Sequence, residues 1–409
     1  MCIVYEYFFK FYLFYDMIKI GENMKKILSK IDIPLFIMMI LYSILGLILV
    51  LSASSVSAVL RYHFSSYHFF IRQLIFVVFS FFIGIYILLR MKTSSYKVFT
   101  PFLVLGILAS LIGLFFYGIM TNNAQSWYDL RFFNLQPAEF AKSVLIVYMA
   151  VFYGNSVKKK NSSLYYNLIP LAVAGVIFVL VAMQPDLGGA LIIGGIAFLV
   201  FLTIPFDKKN QLKLFKTLGV LIVIAGVAVL YSGASILNSR QLGRLQFQNP
   251  CSRYTEDTGY QVCNGFIAIH NGGLFGVGLG NSTQKYLYLP EAHTDFIFPI
   301  LVEELGAIIG IVVLLGYIYI LYRILKIGKG AKGNIRNMIL CYGTFAFILL
   351  HLIVNLMGVL ALIPLTGVPI PFLTYGGSFT INLILMLFVV QRVAIENKNA
   401  KLQREMASL

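Results

Sequence analysis

The sequence predicts an all-α polytopic membrane protein with ten transmembrane helices, both termini cytoplasmic and a large extracellular loop between helices 7 and 8. Three observations carry this expectation. Of 409 residues, 59% are hydrophobic and only 12% charged, whereas an average soluble domain has about 25% charged residues. The apolar residues gather into ten runs of about the length needed to cross a bilayer, roughly 20 residues each. The basic residues segregate: 24 of the 32 Lys and Arg lie in the segments that face one side when the N-terminus is inside, and positive segments stay cytoplasmic. A soluble enzyme, a disordered regulator and a disulfide-stapled secreted domain are excluded. The net charge of +16 sits in short clusters between apolar runs, so it reports topology and not nucleic-acid binding.

Residues 1–33 form a cytoplasmic tail. Met24-Lys25-Lys26-Ile27 has the look of an ordinary start, which makes 1–23 an upstream extension or a surface-lying helix. No cleavable signal peptide is evident. The membrane domain covers 34–391, with runs at 34–52, 69–89, 98–119, 137–154, 164–183, 186–204, 214–233, 296–322, 338–363 and 370–391. Breakers and charges part them, among them Lys158-Lys159-Lys160, Gln184-Pro185-Asp186, Asp207-Lys208-Lys209 and the stretch 364–371. Residues 392–409 form a cytoplasmic tail. The loop at 234–295 is too long to be a plain connection. Its glycine-rich stretch 259–280 suggests a short amphipathic helix followed by turns at the membrane surface. Four cysteines are present, Cys2, Cys251, Cys263 and Cys341, without a CxxC pair, which argues against zinc. Cys251 and Cys263 share the outer loop and are expected to form a disulfide.

A charge inside a bilayer costs about 2.5–3.5 kcal/mol at mid-helix, so each one present needs a reason. In Gln136-Pro137-Ala138-Glu139-Phe140-Ala141-Lys142, Pro137 suits a first helical turn, and Glu139 and Lys142 share one face. They form either a self-neutralising pair or a polar pocket for an anionic headgroup. Asp186 is either a helix N-cap or a wall of the same pocket. In Leu289-Pro290-Glu291-Ala292-His293-Thr294-Asp295, Asp295 sits where the chain re-enters the membrane. Glu303 and Glu304 follow on the same span, eight residues or about 12 Å further for the first, and three carboxylates together favour Asp295 as an exposed general base over a mere cap. Pro369-Ile370-Pro371 and Gly376-Gly377-Ser378 break a span near its outer end, which is tolerated only against protein or a cavity. Arg72 adds a cation whose fork suits phosphate.

With these residues in hand, the chain resembles the SEDS family of bacterial peptidoglycan polymerases (shape, elongation, division and sporulation). The resemblance runs from about residue 30 to 391. It rests on Asn123-Ala124-Gln125-Ser126-Trp127, QPAEFAK at 136–142, QPDLG at 184–188, GLFGVGLGNSTQKYLYLPEAHTDFIF at 273–298, EELG at 303–306 and PIPFLTYGGS at 369–378. The LPEAHTDFIF wording is nearer the cell-division branch than the elongation branch. Two departures stand out. Pro299 follows the TDFIF wording, so the helix is expected to start late or kink, and the loop cysteines are unfamiliar in the pattern.

The resemblance implies the ten-helix SEDS fold in the bacterial cytoplasmic membrane and glycosyl transfer on lipid II, the undecaprenyl-pyrophosphate-linked disaccharide pentapeptide. It places the essential acid on Asp295. Glu139, Lys142, Gln136, Arg72, Asp186, Glu291, His293 and Ser378 are the substrate-binding candidates. No cofactor is certain; a divalent cation, Mg or Mn, is left open as an aid to the leaving pyrophosphate. Implied partners are a class B penicillin-binding protein transpeptidase and other division proteins, and no nucleic acid. Two rival readings stay open: a lipid II flippase, in which the carboxylates relay protons, and a non-catalytic scaffold that recruits a transpeptidase. Charges near the outer ends of spans and the lack of an inverted repeat weigh against the flippase.

Overall fold

The computed structural model describes residues 25–121, 124–131, 133–156, 164–205, 213, 216, 219, 247–286, 288–290 and 292–408. The run 214–233, the first part of the loop, Cys2 and Glu291 therefore lie outside the described residues, apart from isolated positions in that run.

The apolar runs among the described residues fold as helices. The first is α1 (Ile33–Leu60), whose N-cap Asp32 accepts the Leu35 N–H at 3.1 Å. Then come α2 (His68–Ile83), continued by a π turn over Gly84–Leu88, and α3 (Tyr96–Tyr117). A small antiparallel sheet follows, in the order β1 (Ile119–Thr121), β2 (Ala124–Asp129), β3 (Asn134–Leu135), with Ile119 opposite Trp127 and Tyr128 opposite Leu135. Nothing in the apolar pattern announced these strands. Next are α4 (Pro137–Ser156), α5 (Ile169–Ala182) and α6 (Leu187–Leu202). The loop contains α7 (Asp257–Gly272), and the chain ends with α8 (Ile297–Gly330), α9 (Ile335–Val359) and α10 (Gly377–Ala407).

Six of the described helical stretches are long and apolar enough to cross a membrane: Ile33–Leu60, His68–Leu88, Thr93–Tyr117, Ile297–Gly330, Ile335–Val359 and Gly377–Ala407. Two further apolar helices, over Tyr166–Ala182 and Leu187–Leu202, are shorter. The 20-residue α4 carries Glu139 and Lys142, which dilute its apolar character.

The last helix is the central post. Of its most apolar stretch 94% is buried, against 17% for that of α3, which marks α10 as the core and α3 as a lipid-facing wall. α10 packs on α2, α4, α8 and α9. Ile384, Leu387 and Phe388 of α10, Leu145 and Met149 of α4, Phe347 of α9 and Tyr317 of α8 are all fully buried. Lipid tails are as apolar as these side chains, so packing and polar matching hold the bundle together. The polar residues of α10 meet that need at the ends of other helices. Gln391 exchanges two hydrogen bonds with the Asp32 backbone, at 2.8 and 3.0 Å. Arg392 donates to the Leu89 carbonyl at 2.7 Å, and Asn382 donates to the Glu139 carbonyl at 2.8 Å.

Between α9 and α10 the chain is largely non-helical, as the prolines and glycines foretold. Phe372 adopts a left-handed backbone with φ 66°, an uncommon conformation for a bulky residue. The bundle enforces it: a Cβ on Gly46 of α1 would lie 2.1 Å from the Phe372 carbonyl oxygen, so only glycine lets α1 pass.

The outer loop matches the expected helix and turns. Cys251 and Cys263 are bonded, with Cα atoms 4.9 Å apart, tying a 3-10 turn (Pro250–Arg253) to α7. The expectation about Pro299 needs correcting. Proline is accepted in the first turn of α8, where a missing N–H is harmless, and the break falls instead at Gly306, φ 85°.

The Gly46 contact yields a test. Gly46→Ala should lower the melting temperature in detergent, at a cost of about 1–3 kcal/mol from overpacking. Gly106→Ala, on an open face of α3, should leave it unchanged or raise it. Equal melting points for the two variants would refute the contact.

Candidate active site

Asp295 ends the loop one residue before the N-cap of α8, with 9% of its surface exposed. The Thr294 hydroxyl donates to its Oδ1 at 3.0 Å. Its backbone is fixed from α9: Asn355 Nδ2 donates at 2.8 Å to the Asp295 carbonyl and at 2.8 Å to the Val368 carbonyl. The residue before Val368, Gly367, has φ 68°, and a Cβ there would stand 3.6 Å from Asp295 Oδ2. The carboxylate is thus set against the non-helical segment at 360–376.

His293 reaches the same segment. Its carbonyl accepts the Tyr375 N–H at 2.9 Å, and its ring packs on Phe69 and Tyr375 with centroids 4.8 and 5.8 Å away. Its Nδ1 is buried without a hydrogen-bond partner among the described residues. Burial pushes this imidazole down to about 4, and the Arg61 guanidinium adds to the effect. Arg72, half-buried on α2, hydrogen-bonds the Tyr375 side chain. Its neighbour Gln73 secures the broken backbone: Nε2 donates to the Thr374 carbonyl at 3.2 Å and to Thr380 Oγ1 at 2.8 Å, while Oε1 accepts the Gly376 N–H at 3.2 Å.

A second group lies at the start of α4. Gln136 donates through its backbone N–H to Ser378 Oγ at 3.0 Å and through Nε2 to Asp186 Oδ2 at 3.1 Å. Asp186 also caps α6, accepting the Gly189 N–H on Oδ1 at 2.8 Å. Asp186 is thus the N-cap of α6 through one oxygen and a partner of Gln136 through the other. Ser126 of β2 donates to the Gln184 carbonyl at 3.0 Å and so steadies that turn. Deeper, Lys142 is 1% exposed and donates to Glu139 Oε1 at 2.7 Å and to His351 Nε2 of α9 at 3.0 Å. His351 Nδ1 is 2.7 Å from the Phe347 carbonyl, which can only accept. That assigns the proton to Nδ1 and leaves Nε2 as the acceptor for Lys142. His351 and Asn355 are one helical turn apart on α9, so about 6 Å of helix rise separates the grip on Lys142 from the grip on Asp295.

Glu303 and Glu304 do not join Asp295, contrary to the weight placed on them as its companions. Glu303 accepts from Ser282, from the Thr283 hydroxyl at 2.9 Å and from the Thr283 and Gln284 N–H groups at 3.2 and 3.3 Å. Glu304 is paired with Lys285 at 2.9 Å and accepts from Ser52 at 2.6 Å. Both carboxylates are used up in holding the loop to α8. Sequence reasoning passed over His351, Asn355, Asn382 and the role of Gln73. The signal was present, because polar residues within an otherwise apolar span call for a partner. Among the described residues no three His, Cys, Asp or Glu side chains converge to hold a metal ion.

The family model described as cell cycle protein, FtsW/RodA/SpoVE, matches residues 33–399. The probable peptidoglycan glycosyltransferase FtsW of Bacillus subtilis (strain 168) is 35% identical over 394 residues, covering 92% of this chain and 95% of the relative. Stage V sporulation protein E of the same organism is 35% identical over 367 residues, covering 88% and 94%. Among solved structures, a chain from a peptidoglycan synthase complex that coordinates polymerization and crosslinking superposes with a TM-score of 0.68 at 21% identity, covering 90% of this chain and 98% of that one. The rod shape determining protein RodA of Thermus thermophilus gives 0.61 at 22% identity, covering 89% and 96%. These two structures share the fold.

Two tests follow from the geometry. Lys142→Met leaves the Glu139 carboxylate buried and uncompensated, and should cost about 3–5 kcal/mol. Glu139→Gln with Lys142→Met should recover most of that stability. A double variant no more stable than the single would refute a self-neutralising pair. The second test concerns pH. A histidine held neutral by burial binds fewer protons than the unfolded chain between pH 6.5 and about 4. Stability therefore falls as pH drops through that window, by roughly 1.4 kcal/mol per unit at most. His293→Gln should flatten the decline of melting temperature between pH 6.5 and 4.5, and an unchanged slope would count against the assignment.

Proposed function

We infer the function from one premise: the chain belongs to the FtsW/RodA/SpoVE family of cell cycle proteins. It is a peptidoglycan glycosyltransferase. Its substrate is lipid II, which it polymerises into glycan strands for septal wall synthesis at the outer face of the bacterial cytoplasmic membrane. The ten-span topology with both termini inside is supported by the Lys and Arg count, which puts Asp295, Arg72 and Asp186 at the outer end of the bundle.

The observation that carries the mechanism is the placing of Asp295. Asp295 is nearly buried, 9% exposed, against the non-helical segment, while its backbone is clamped by Asn355. A general base needs a fixed aim within reach of the proton it takes. The 4-hydroxyl of the acceptor GlcNAc attacks C1 of the donor sugar and passes its proton to Asp295. The C1–oxygen bond to diphosphate breaks, and undecaprenyl pyrophosphate leaves. One displacement at an α-linked donor gives a β-linked glycan, with no covalent intermediate on the protein.

Arg72, half-buried at the rim, is the cation placed to meet the departing diphosphate. Lys142 works from beneath, holding Glu139 and the head of α4 in place. Gln136, Asp186 and Ser378 line the same end of the bundle, and His293 shapes the wall beside Asp295. A class B penicillin-binding protein is the partner that crosslinks the product, in keeping with the synthase complex whose fold this chain shares.

The test is lipid II polymerisation by the purified protein together with its cognate transpeptidase. Asp295→Asn keeps size and hydrogen bonding but cannot take the proton, and should lower the rate by about 10²–10⁴ with folding intact. Full activity in this variant would end the assignment of the base. Lipid II transport without polymer by the wild type would select a flippase.

A further inference from the structure

The end of the bundle away from Asp295 holds a cavity of about 340 Å³ lined by Lys26, Lys30, Arg90, Arg392 and Asn399. Arg392 lies 15 residues after the start of α10, roughly 22 Å along that helix from the segment beside Asp295. Three separate parts of the chain supply the cations: the approach to α1, the end of α2 and the far half of α10. The nearby carboxylates among the described residues are turned elsewhere: Asp32 pairs with Arg323. Glu396 takes Arg392 Nε at 3.1 Å, but it also takes the Thr93 N–H and hydroxyl at 2.9 and 2.7 Å and Asn337 at 2.9 Å. Among the described residues Lys30 has only a neutral partner, Asn399, at 2.6 Å, and Lys26 and Arg90 make no ion pair. Four cations around one cavity, with the neighbouring carboxylates among the described residues committed, leave a site that calls for an anion.

We propose that this cavity binds phosphate oxygens, and that they belong to the headgroup of an anionic membrane lipid. Phosphate matches the donors: the Arg fork takes two oxygens, and Lys supplies point charges. The depth matches a lipid. The cavity lies where the lipid-facing surfaces of α1 and α2 end, beside the exposed Ile33, Tyr86 and Ile87. Arg90 lies over the Tyr86 ring at 5.7 Å, an arrangement suited to the headgroup level. Basic pockets between spans on the cytoplasmic side recognise such headgroups. The site is independent of the polymerase reading.

The test is native mass spectrometry of the full-length, delipidated protein titrated with phosphatidylglycerol, phosphatidylcholine or inorganic phosphate. Phosphatidylglycerol should bind in preference to phosphatidylcholine. Lys26→Gln, Lys30→Gln and Arg90→Gln combined should weaken that binding roughly tenfold to a hundredfold. Removing equal charge elsewhere on the same end, by Lys326→Gln, Lys329→Gln and Lys332→Gln, should not. Unaltered melting in phosphatidylcholine verifies the fold. The exposed pair Lys26→Gln and Arg90→Gln serves, with a smaller loss expected, if loss of the Lys30 bond disturbs it. Undiminished phosphatidylglycerol binding in the cavity variants, or an equal loss in the control triple, would overturn the site. Inorganic phosphate binding as tightly as phosphatidylglycerol would overturn the lipid as its source and assign a soluble phosphate.

Discussion

One side-chain amide, that of Asn355, holds the outer end of this molecule in register. Two stretches of irregular backbone meet there, the end of the loop at Asp295 and the segment at Val368, and neither has a helix to absorb its carbonyl groups. An unsatisfied polar group at membrane depth costs several kcal/mol. Asn355 supplies both of its N–H bonds, one to each stretch. The position of Asp295 is thereby referred to α9 and not to the loop that carries it. Gln73 does the corresponding work from α2 for residues 374–376. The irregular wall of the site exists because two amide side chains on regular helices replace the hydrogen bonds it lacks.

The same helix holds the buried ion pair. A lysine inside the bundle is costly to desolvate, and its pairing with Glu139 offsets that cost only with good geometry and further hydrogen bonds. His351 supplies one, and a proton on its Nδ1 directs Nε2 toward the ammonium. Asn382 secures the Glu139 backbone from α10. The head of α4, with Gln136 touching both Asp186 and Ser378, is thus placed by contacts from α6, α9 and α10 together.

Much of this was legible in the residues. Apolar run length and basic asymmetry marked the helices, and the QPAEFAK, QPDLG and LPEAHTDFIF stretches marked the residues that cluster. What escaped has physical reasons. The strands at 119–135 are short and lean on the bundle, so no period-two pattern announces them. Pro299 was weighed as a helix breaker when its place in a first turn made it harmless. Glu303 and Glu304 looked like companions of Asp295, because spacing along a helix says nothing about the partners each side chain meets. Ser282, Thr283 and Lys285 of the loop take both carboxylates. His351 and Asn355 sit in a run whose hydropathy hides them, and only the partners they meet give them a role.

The break at Gly306 divides α8 into two mechanical parts. The Glu303 and Glu304 carbonyls bond the Val277 and Gly278 N–H groups, and the Ala307 and Ile308 N–H groups bond the Gly273 and Leu274 carbonyls. The outer segment of α8 is laced to the loop on both sides of the break, with Lys285 and Glu304 riveting it further. The loop and the turn that bears Asp295 are therefore one laced unit, while α8 beyond the break is seated on α1, where the Tyr42 hydroxyl donates to the Val313 carbonyl. Asn355 of α9 is the pin that fixes this unit to the rest of the bundle.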